Sequence, residues 1–99
     1  MILSRKPFPL GRTLATPGAL KALEEAGQQP GEFLDRHVRG DWGTVDADDW
    51  KANEDALGDG SRLLSAYALK SGVRIWVITE AKGDDGERAA TTLLLPGDY

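Results

Sequence analysis

Apolar positions recur every three to four residues through the first part of the chain, and every second residue after about residue 60. The first spacing is typical of amphipathic helices, and the second is typical of strands that are buried on one side. Three short stretches follow each rule. The pattern therefore predicts an α+β fold, in which three short N-terminal helices precede a three-stranded antiparallel β-meander and pack on one face of the sheet.

The first two helices have start and stop signals of the same kind. Thr16 can cap a helix whose first residue is Pro17, because the missing N–H of proline costs nothing at that position. Gly27 is the expected left-handed terminator. Pro30 repeats the start signal, and Gly40 ends the second helix. Each predicted helix is about ten residues long or slightly shorter.

A third helix start is predicted at Asp46. This residue can cap the helix, Asp49 falls at the third helical position of a capping box, and Val45 can pack against Trp50. Helical periodicity turns Trp50 inward, although a small rotation of so short a helix would expose it. The glycines near residue 60 mark the end of the helix.

Three alternating segments, residues 62–69, 73–80 and 89–95, are the predicted strands. The first of them places Leu63 and Tyr67 on one face. Residues 1–15 contain prolines and Gly11 without sustained periodicity, which predicts an extended N-terminal arm. Residues 16–99 then form a single α+β domain, as the chain length of 99 residues also favours.

The segment from residue 41 to residue 59 has the most unusual composition, with many carboxylates, one lysine and two tryptophans. It can be a solvated helix face with one tryptophan buried beneath it. It can also be a docking surface for a basic partner, because the charge steers the encounter and the rings supply contact area. The candidate partner-binding residues are Asp41, Trp42, Asp46, Asp48, Asp49, Trp50, Glu54 and Asp55.

Enzyme chemistry at neutral pH most often uses histidine, and His37 is the single histidine of the chain. It can be a half-buried residue that donates to a carbonyl at the end of a helix. In the alternative hypothesis the protein is a small metal-independent ribonuclease or toxin. His37 and Glu80 would then act as acid and base, Arg62 would stabilise the phosphorane charge, and Tyr67 would position the substrate.

Several classes of function are disfavoured by composition. The chain has no cysteine, which removes disulfides and thiolate metal sites, and the aspartates around Asp46 and Asp48 lack the glycine and glutamate of a calcium loop. No phosphate-binding loop or dinucleotide motif is present, so we expect no cofactor and lean against an enzyme. A net charge of −4 argues against direct binding of nucleic acid. Without a signal peptide or a long apolar segment, we expect a cytoplasmic protein.

Three stretches of the sequence, ATPGALKALEEAGQQPGEFLDRHVRGDWG, RLLSAYALKSGVRIWVITE and TTLLLPGDY, cover most of the chain from Ala15 to Tyr99. Together they resemble a family of small uncharacterised bacterial proteins carried by plasmids, integrative elements and prophages. This resemblance implies an accessory protein, of the kind that inhibits host defence complexes such as CRISPR effectors. The partner would be a host protein or protein–nucleic-acid complex with a basic surface. A homodimer through a free edge of the sheet is also considered, because the last strand ends in three leucines.

Overall fold

The computed structural model describes residues 7–99. Within them the chain forms a strand, three helices and three further strands, and it ends in a short 3-10 turn. The sheet has the strand order β1-β4-β3-β2. The elements are β1 (Arg12–Ala15), α1 (Pro17–Ala26), α2 (Pro30–Val38), α3 (Ala47–Asp59), β2 (Leu63–Ala68), β3 (Arg74–Thr79), β4 (Ala90–Leu94) and the 3-10 turn (Pro96–Asp98).

The fold class is α+β as predicted, but the sheet differs from the predicted meander. It contains four strands rather than three, and it is mixed, because β1 pairs with β4 in parallel while β2, β3 and β4 pair antiparallel. A strand therefore precedes the three helices. The prediction of a three-stranded, wholly antiparallel sheet is wrong, because a four-residue strand is too short to give a clear alternating pattern.

The added strand lies in the segment that the sequence assigned to an N-terminal arm. Arg12 pairs with Ala90 and Ala15 pairs with Leu93, and the first six residues of the predicted arm lie outside the described residues. Gly11 allows the chain to enter the sheet here. Its φ is +67°, and a Cβ atom at this position would lie 2.3 Å from the Arg88 carbonyl oxygen, so only glycine fits.

The helix signals and the three predicted strands are confirmed. The Thr16 side chain accepts a hydrogen bond from the Ala19 N–H, and the Asp46 side chain accepts one from the Asp49 N–H. Gly27 and Gly60 both end their helices in the left-handed conformation. Strands β2, β3 and β4 each begin and end within one residue of the predicted segments. Local signals are thus sufficient for these elements.

The helices cover one side of the sheet, which we call the closed face. Its largest apolar cluster contains α1 and α2 residues such as Leu23 and Phe33, packed against Tyr67, Ile75 and Leu93 of the strands. A second, smaller cluster joins α3 to the start of β2. The opposite side of the sheet, the open face, is not covered by any of the three helices. Along every strand, side chains consequently alternate between the closed face, under the helices, and the open face.

The two edge strands of the sheet, β2 and β1, have different neighbours. At the β2 edge, the Asn53 side chain donates to the Leu64 carbonyl and accepts from the Leu64 N–H. Further along, Ala66 exchanges backbone hydrogen bonds with Trp42 and Thr44. The β2 edge is therefore closed by α3 and by the segment before it. The other edge strand is β1.

Strand β4 lies between β1 and β3, so the two leucines that it contains, Leu93 and Leu94, are in an internal strand of the sheet. The expectation that the last strand offers a free edge for a homodimer is wrong for this reason. β4 became internal because β1, distant in sequence, pairs beside it.

Candidate functional site

His37 is the first candidate of the sequence, and its side chain is 0% exposed on the closed face. Its Nδ1 lies 2.5 Å from the Ser65 hydroxyl oxygen on β2, and its Nε2 lies 2.8 Å from the Thr79 hydroxyl oxygen on β3. Thr79 in turn lies 2.7 Å from the Thr91 hydroxyl on β4. The Thr91 hydroxyl donates to the Leu10 carbonyl. One buried chain of hydrogen bonds thus joins a helix, three strands and the segment before β1.

The last bond of this chain fixes the direction of the two bonds that lead back to the Nε2 atom of His37. Since Thr91 donates to a carbonyl, its oxygen accepts the proton of Thr79, and Thr79 must then accept from the Nε2–H of His37. A neutral imidazole with a proton on Nε2 accepts at Nδ1, so the Ser65 hydroxyl donates there. With the ring uncharged, every donor in this chain has one acceptor.

The environment of the ring agrees with that assignment. The rings of Phe8 and Trp42 meet the imidazole edge to face, at centroid distances of 5.4 and 5.5 Å. Burial, with a smaller contribution from the positive charge of Arg88, lowers the pKa of His37 from 6.5 to about 4. The side chain has no access to solvent and both nitrogens are engaged. It holds elements together and has no free nitrogen for acid–base catalysis.

The four residues of the nuclease hypothesis are divided between the two faces of the sheet. His37 and Tyr67 are on the closed face, where the Tyr67 hydroxyl donates to the Asp41 carbonyl at 2.5 Å and burial raises the pKa of its hydroxyl. Arg62 and Glu80 are on the open face, since they flank the inward residues at the ends of β2 and β3. The sheet lies between the two pairs.

Three residues of the acidic segment have structural partners. Trp42 is 0% exposed, and its indole N–H donates to the Glu54 carboxylate at 2.8 Å. The Asp41 carboxylate accepts from the Arg36 side chain at 2.7 Å and from the Gly43 N–H at 3.1 Å. The expectation that Trp42 anchors a partner is corrected by its burial. Asp41 fixes the turn that brings Trp42 into the core, and the Glu54 carboxylate accepts the hydrogen bond of the Trp42 indole N–H.

Gly43, within that turn, has a conformation that only glycine adopts readily, with a φ of +75°. A Cβ atom here would lie 1.9 Å from the Ala66 carbonyl oxygen on β2. The close approach allows the neighbouring backbone to pair with the edge of the sheet. The turn between Trp42 and Trp50 is therefore held by the Asp41 carboxylate and by the backbone of Ala66 on β2.

The remaining acidic residues form a surface that we call the α3 patch, defined by Asp46, Asp48, Asp49, Trp50 and Asp55. Trp50 is 39% exposed, so the helix presents rather than buries it. Asn53 and Ala56 occupy the inward positions instead. Lys51 pairs with Asp55 at 3.0 Å in an exposed ion pair of little energetic weight. The carboxylates of Asp48 and Asp49 are also exposed, in the same turn of the helix as Trp50.

The open face combines aromatic and basic side chains. Trp76 on β3 is half-buried, and the Tyr99 ring meets it at a centroid distance of 5.9 Å and an angle of 68°. Arg62 donates to the Tyr99 hydroxyl, and its guanidinium lies 5.6 Å from the Tyr99 ring centroid. Arg74, two residues before Trp76, donates to the Thr44 hydroxyl at 3.3 Å. Tyr99 itself is 72% exposed.

Sequence reasoning did not single out Tyr99, Arg74 or Arg88. The Arg88 side chain is buried, and its guanidinium donates to the carbonyls of Ala56, Ser61 and Glu80 at 2.7 to 3.0 Å. It connects the end of α3 to the β3–β4 hairpin, and the negative end of the helix dipole favours this contact. Its position in a loop rich in acidic residues gave no signal of burial. Only the alternation along β3 pointed to the open-face residues.

Comparison of the chain with known protein families, curated proteins and solved structures finds no significant similarity. The resemblance to proteins of mobile elements therefore stays a prediction. Within residues 7–99, no three acidic or histidine side chains are grouped so as to hold a metal ion. No helix in the same part of the chain is long and apolar enough to cross a membrane.

Proposed function

We propose that this protein is a non-enzymatic binding protein of a mobile genetic element, and that it inhibits a host defence complex by covering a basic, nucleic-acid-binding surface. The observation that carries the proposal is the α3 patch, where one helix exposes both a tryptophan, at 39%, and several carboxylates. Tryptophan is enriched at protein interfaces, where it is a frequent anchor.

The patch has the physical properties that such binding requires. Asp48 and Asp49 lie in the first turn of α3, and Asp55 lies two turns further along the helix. A helix fixes their spacing, so that little conformational entropy is lost when they meet a row of lysines or arginines. A groove that normally holds phosphates would attract this charge at long range, and Trp50 would supply the apolar contact.

The inhibitory role follows from the resemblance and from the chemistry of the partner. A surface that competes with phosphates can block the nucleic acid that the complex must bind. The nuclease hypothesis gains no support from the geometry, because His37 is buried and Glu80 is on the other side of the sheet.

The proposal is tested by capture of partners from a host lysate, followed by competition with nucleic acid for the purified partner. We compare the wild type with the Asp48→Asn, Asp49→Asn double variant and with Trp50→Ala. The matched control is Glu24→Gln, Glu25→Gln, which removes two adjacent exposed carboxylates from α1. Circular dichroism and thermal unfolding check that each variant folds.

We expect one partner that binds nucleic acid, that is displaced by it, and that is released as salt increases. Both α3 variants should weaken its capture at least fivefold, while the α1 control should retain it. Equal capture by all the variants would show that α3 is not the interface. Capture of a partner that binds nucleic acid equally well with and without this protein would refute the inhibitory mechanism.

A further inference from the structure

The charges of this protein are distributed unevenly over its surface. Although the whole chain has a net charge of −4, the strand residues directed to the open face carry more positive than negative charge. Arg12 pairs with Ala90, and Glu80 bonds to the same residue, so the two side chains flank one end of the face. Arg62 lies beside Glu80, and Arg74 lies at the other end of β3. Counting the strands and the residues that flank them, the open face thus has three arginines, Arg12, Arg62 and Arg74, against one carboxylate, Glu80.

The aromatic side chains lie between two of these arginines. Along the β2–β3 side of the face the order is Arg74, Trp76, Tyr99 and Arg62, from the register of the strands and the two ring contacts. Glu80 lies four positions beyond Trp76 along the same strand direction, so the only carboxylate of this group is about 13 Å away from Trp76. Tyr99 is 72% exposed, so most of its ring is accessible to a ligand.

We propose that the open face binds single-stranded nucleic acid. Bases would stack on Trp76 and Tyr99, and the guanidinium groups of Arg62 and Arg74 would contact the phosphates on either side. Aromatic platforms combined with a basic track are the usual way in which proteins bind single strands, because every base has a π face and every nucleotide has a charge.

The charge favours this occupant over the alternatives. A second copy of the chain or an acidic protein segment would also meet the arginines, but neither supplies a regular series of planar groups and charges. The half-buried aliphatic residues Leu64 and Ile78, which pair with each other next to Trp76 along the strands, provide further contact area for bases. Double-stranded nucleic acid is disfavoured, because its bases are already stacked and its width exceeds one row of side chains.

This inference does not depend on the proposed function, because it concerns a different surface. The α3 patch is acidic and lies on a helix beyond the β2 edge, whereas the open face belongs to the strands. A negative result for the α3 patch therefore does not bear on the open face, and a negative result for the open face does not bear on the α3 patch. The two proposals are therefore tested with different variants and different ligands.

The test is fluorescence anisotropy with labelled oligothymidine and oligouridine of about 12 nucleotides, titrated with the full chain at several salt concentrations. The variants are Tyr99→Ala and the double change Arg62→Gln, Arg74→Gln. The controls are Trp50→Ala, which removes an exposed aromatic from α3, and Lys21→Gln, Arg39→Gln, which removes one exposed cation from α1 and one from the residue after α2. Thermal unfolding confirms that all the variants are folded.

We expect Tyr99→Ala to weaken binding about tenfold, because one stacking surface is lost. The double arginine variant should weaken binding and reduce the slope of log affinity against log salt by about 1.4, since each contact with a single strand contributes about 0.7. Both controls should bind like the wild type. A preference for one oligonucleotide would identify RNA or DNA as the natural ligand.

Absence of binding to both oligonucleotides at low salt would overturn the proposal and leave a protein as the occupant of the face. Equal loss of affinity in the arginine variant and in the lysine and arginine control would also overturn it, because the attraction would then be non-specific. Unchanged affinity of Tyr99→Ala would remove the stacking role on which the assignment depends.

Discussion

The two faces of the sheet are built from alternate residues of the same strands, yet polar side chains are buried on one face and exposed on the other. On the closed face, His37 bonds to Ser65 and Thr79, Thr79 bonds to Thr91, and all four side chains are hidden from solvent. Among residues 7–99 no buried side-chain polar atom lacks a partner. On the open face, Arg62 and Arg74 each contact one hydroxyl group and remain exposed.

The contrast separates residues that maintain the fold from residues that are available to a ligand. A hydrogen-bond chain with every donor satisfied is costly to alter, because each change leaves a buried group without a partner. Exposed side chains around an aromatic pair can change their contacts at little cost. The buried His37 thus belongs to the structural face, and the exposed Arg62 and Arg74 belong to the available one.

The largest effect should follow from the centre of the closed face. We expect His37→Ala to lower the free energy of unfolding by about 4 kcal/mol, because it leaves a cavity and two buried hydroxyls, those of Ser65 and Thr79, without their partner. Urea unfolding measures this change. Val38→Ala, at the half-buried neighbouring position, is the control and should cost about 1 kcal/mol. Similar losses in both variants would contradict the role given to the network.

A somewhat smaller effect is expected at Arg88. Replacement by methionine keeps much of the side-chain volume but leaves the carbonyls of Ala56, Ser61 and Glu80 without their donor. The expected loss is about 3 kcal/mol, and Arg88→Lys should recover part of it. Thermal unfolding monitored by circular dichroism provides the measurement. A loss below about 1 kcal/mol would show that water replaces the guanidinium without cost.

Stability should depend on pH through His37. Its pKa in the folded protein is about 4, below its usual value of 6.5, so the unfolded chain binds the proton first and acid favours unfolding. The stabilisation is complete above about pH 6.5 and is lost as pH falls towards 4. From pH 7 to pH 4.5 this loss amounts to about 2 kcal/mol.

Urea unfolding of the wild type and of His37→Gln, measured across that range, isolates this contribution. The carboxylates titrate in both proteins, so the difference between the two curves reports the histidine alone. If the two curves run parallel, the ring is accessible to protons in the folded state, and its assignment as a buried neutral group fails.

The smallest effect on stability should be on the open face. Tyr99→Ala should change the free energy of unfolding by less than about 0.5 kcal/mol, because the ring is 72% exposed. The same urea measurement applies. A loss above about 1.5 kcal/mol would mean that Tyr99 is a covering element of the sheet, and the open face would then resemble the closed face more than we infer.

Local signals in the sequence account for the elements that form without distant partners. Thr16, Asp46, Gly27 and Gly60 predict their caps because the required hydrogen bonds and backbone angles lie within a few residues. The alternation along β2, β3 and β4 likewise assigns the two faces. Trp42 and Trp50 show the limit of this reasoning, since both stand in the same acidic segment and only one is buried.

What the sequence by itself determined is the three helices, the three later strands with their sides, and the acidic character of α3, since these depend on neighbours in the chain. Tertiary structure alone decided that Arg12 to Ala15 would pair with β4, and that His37 would find partners 28 and 42 residues away. It also separated the charges into an acidic helix and a basic sheet face. These outcomes depend on which distant segments share a surface, and a short strand or a lone histidine carries no local signal of that choice.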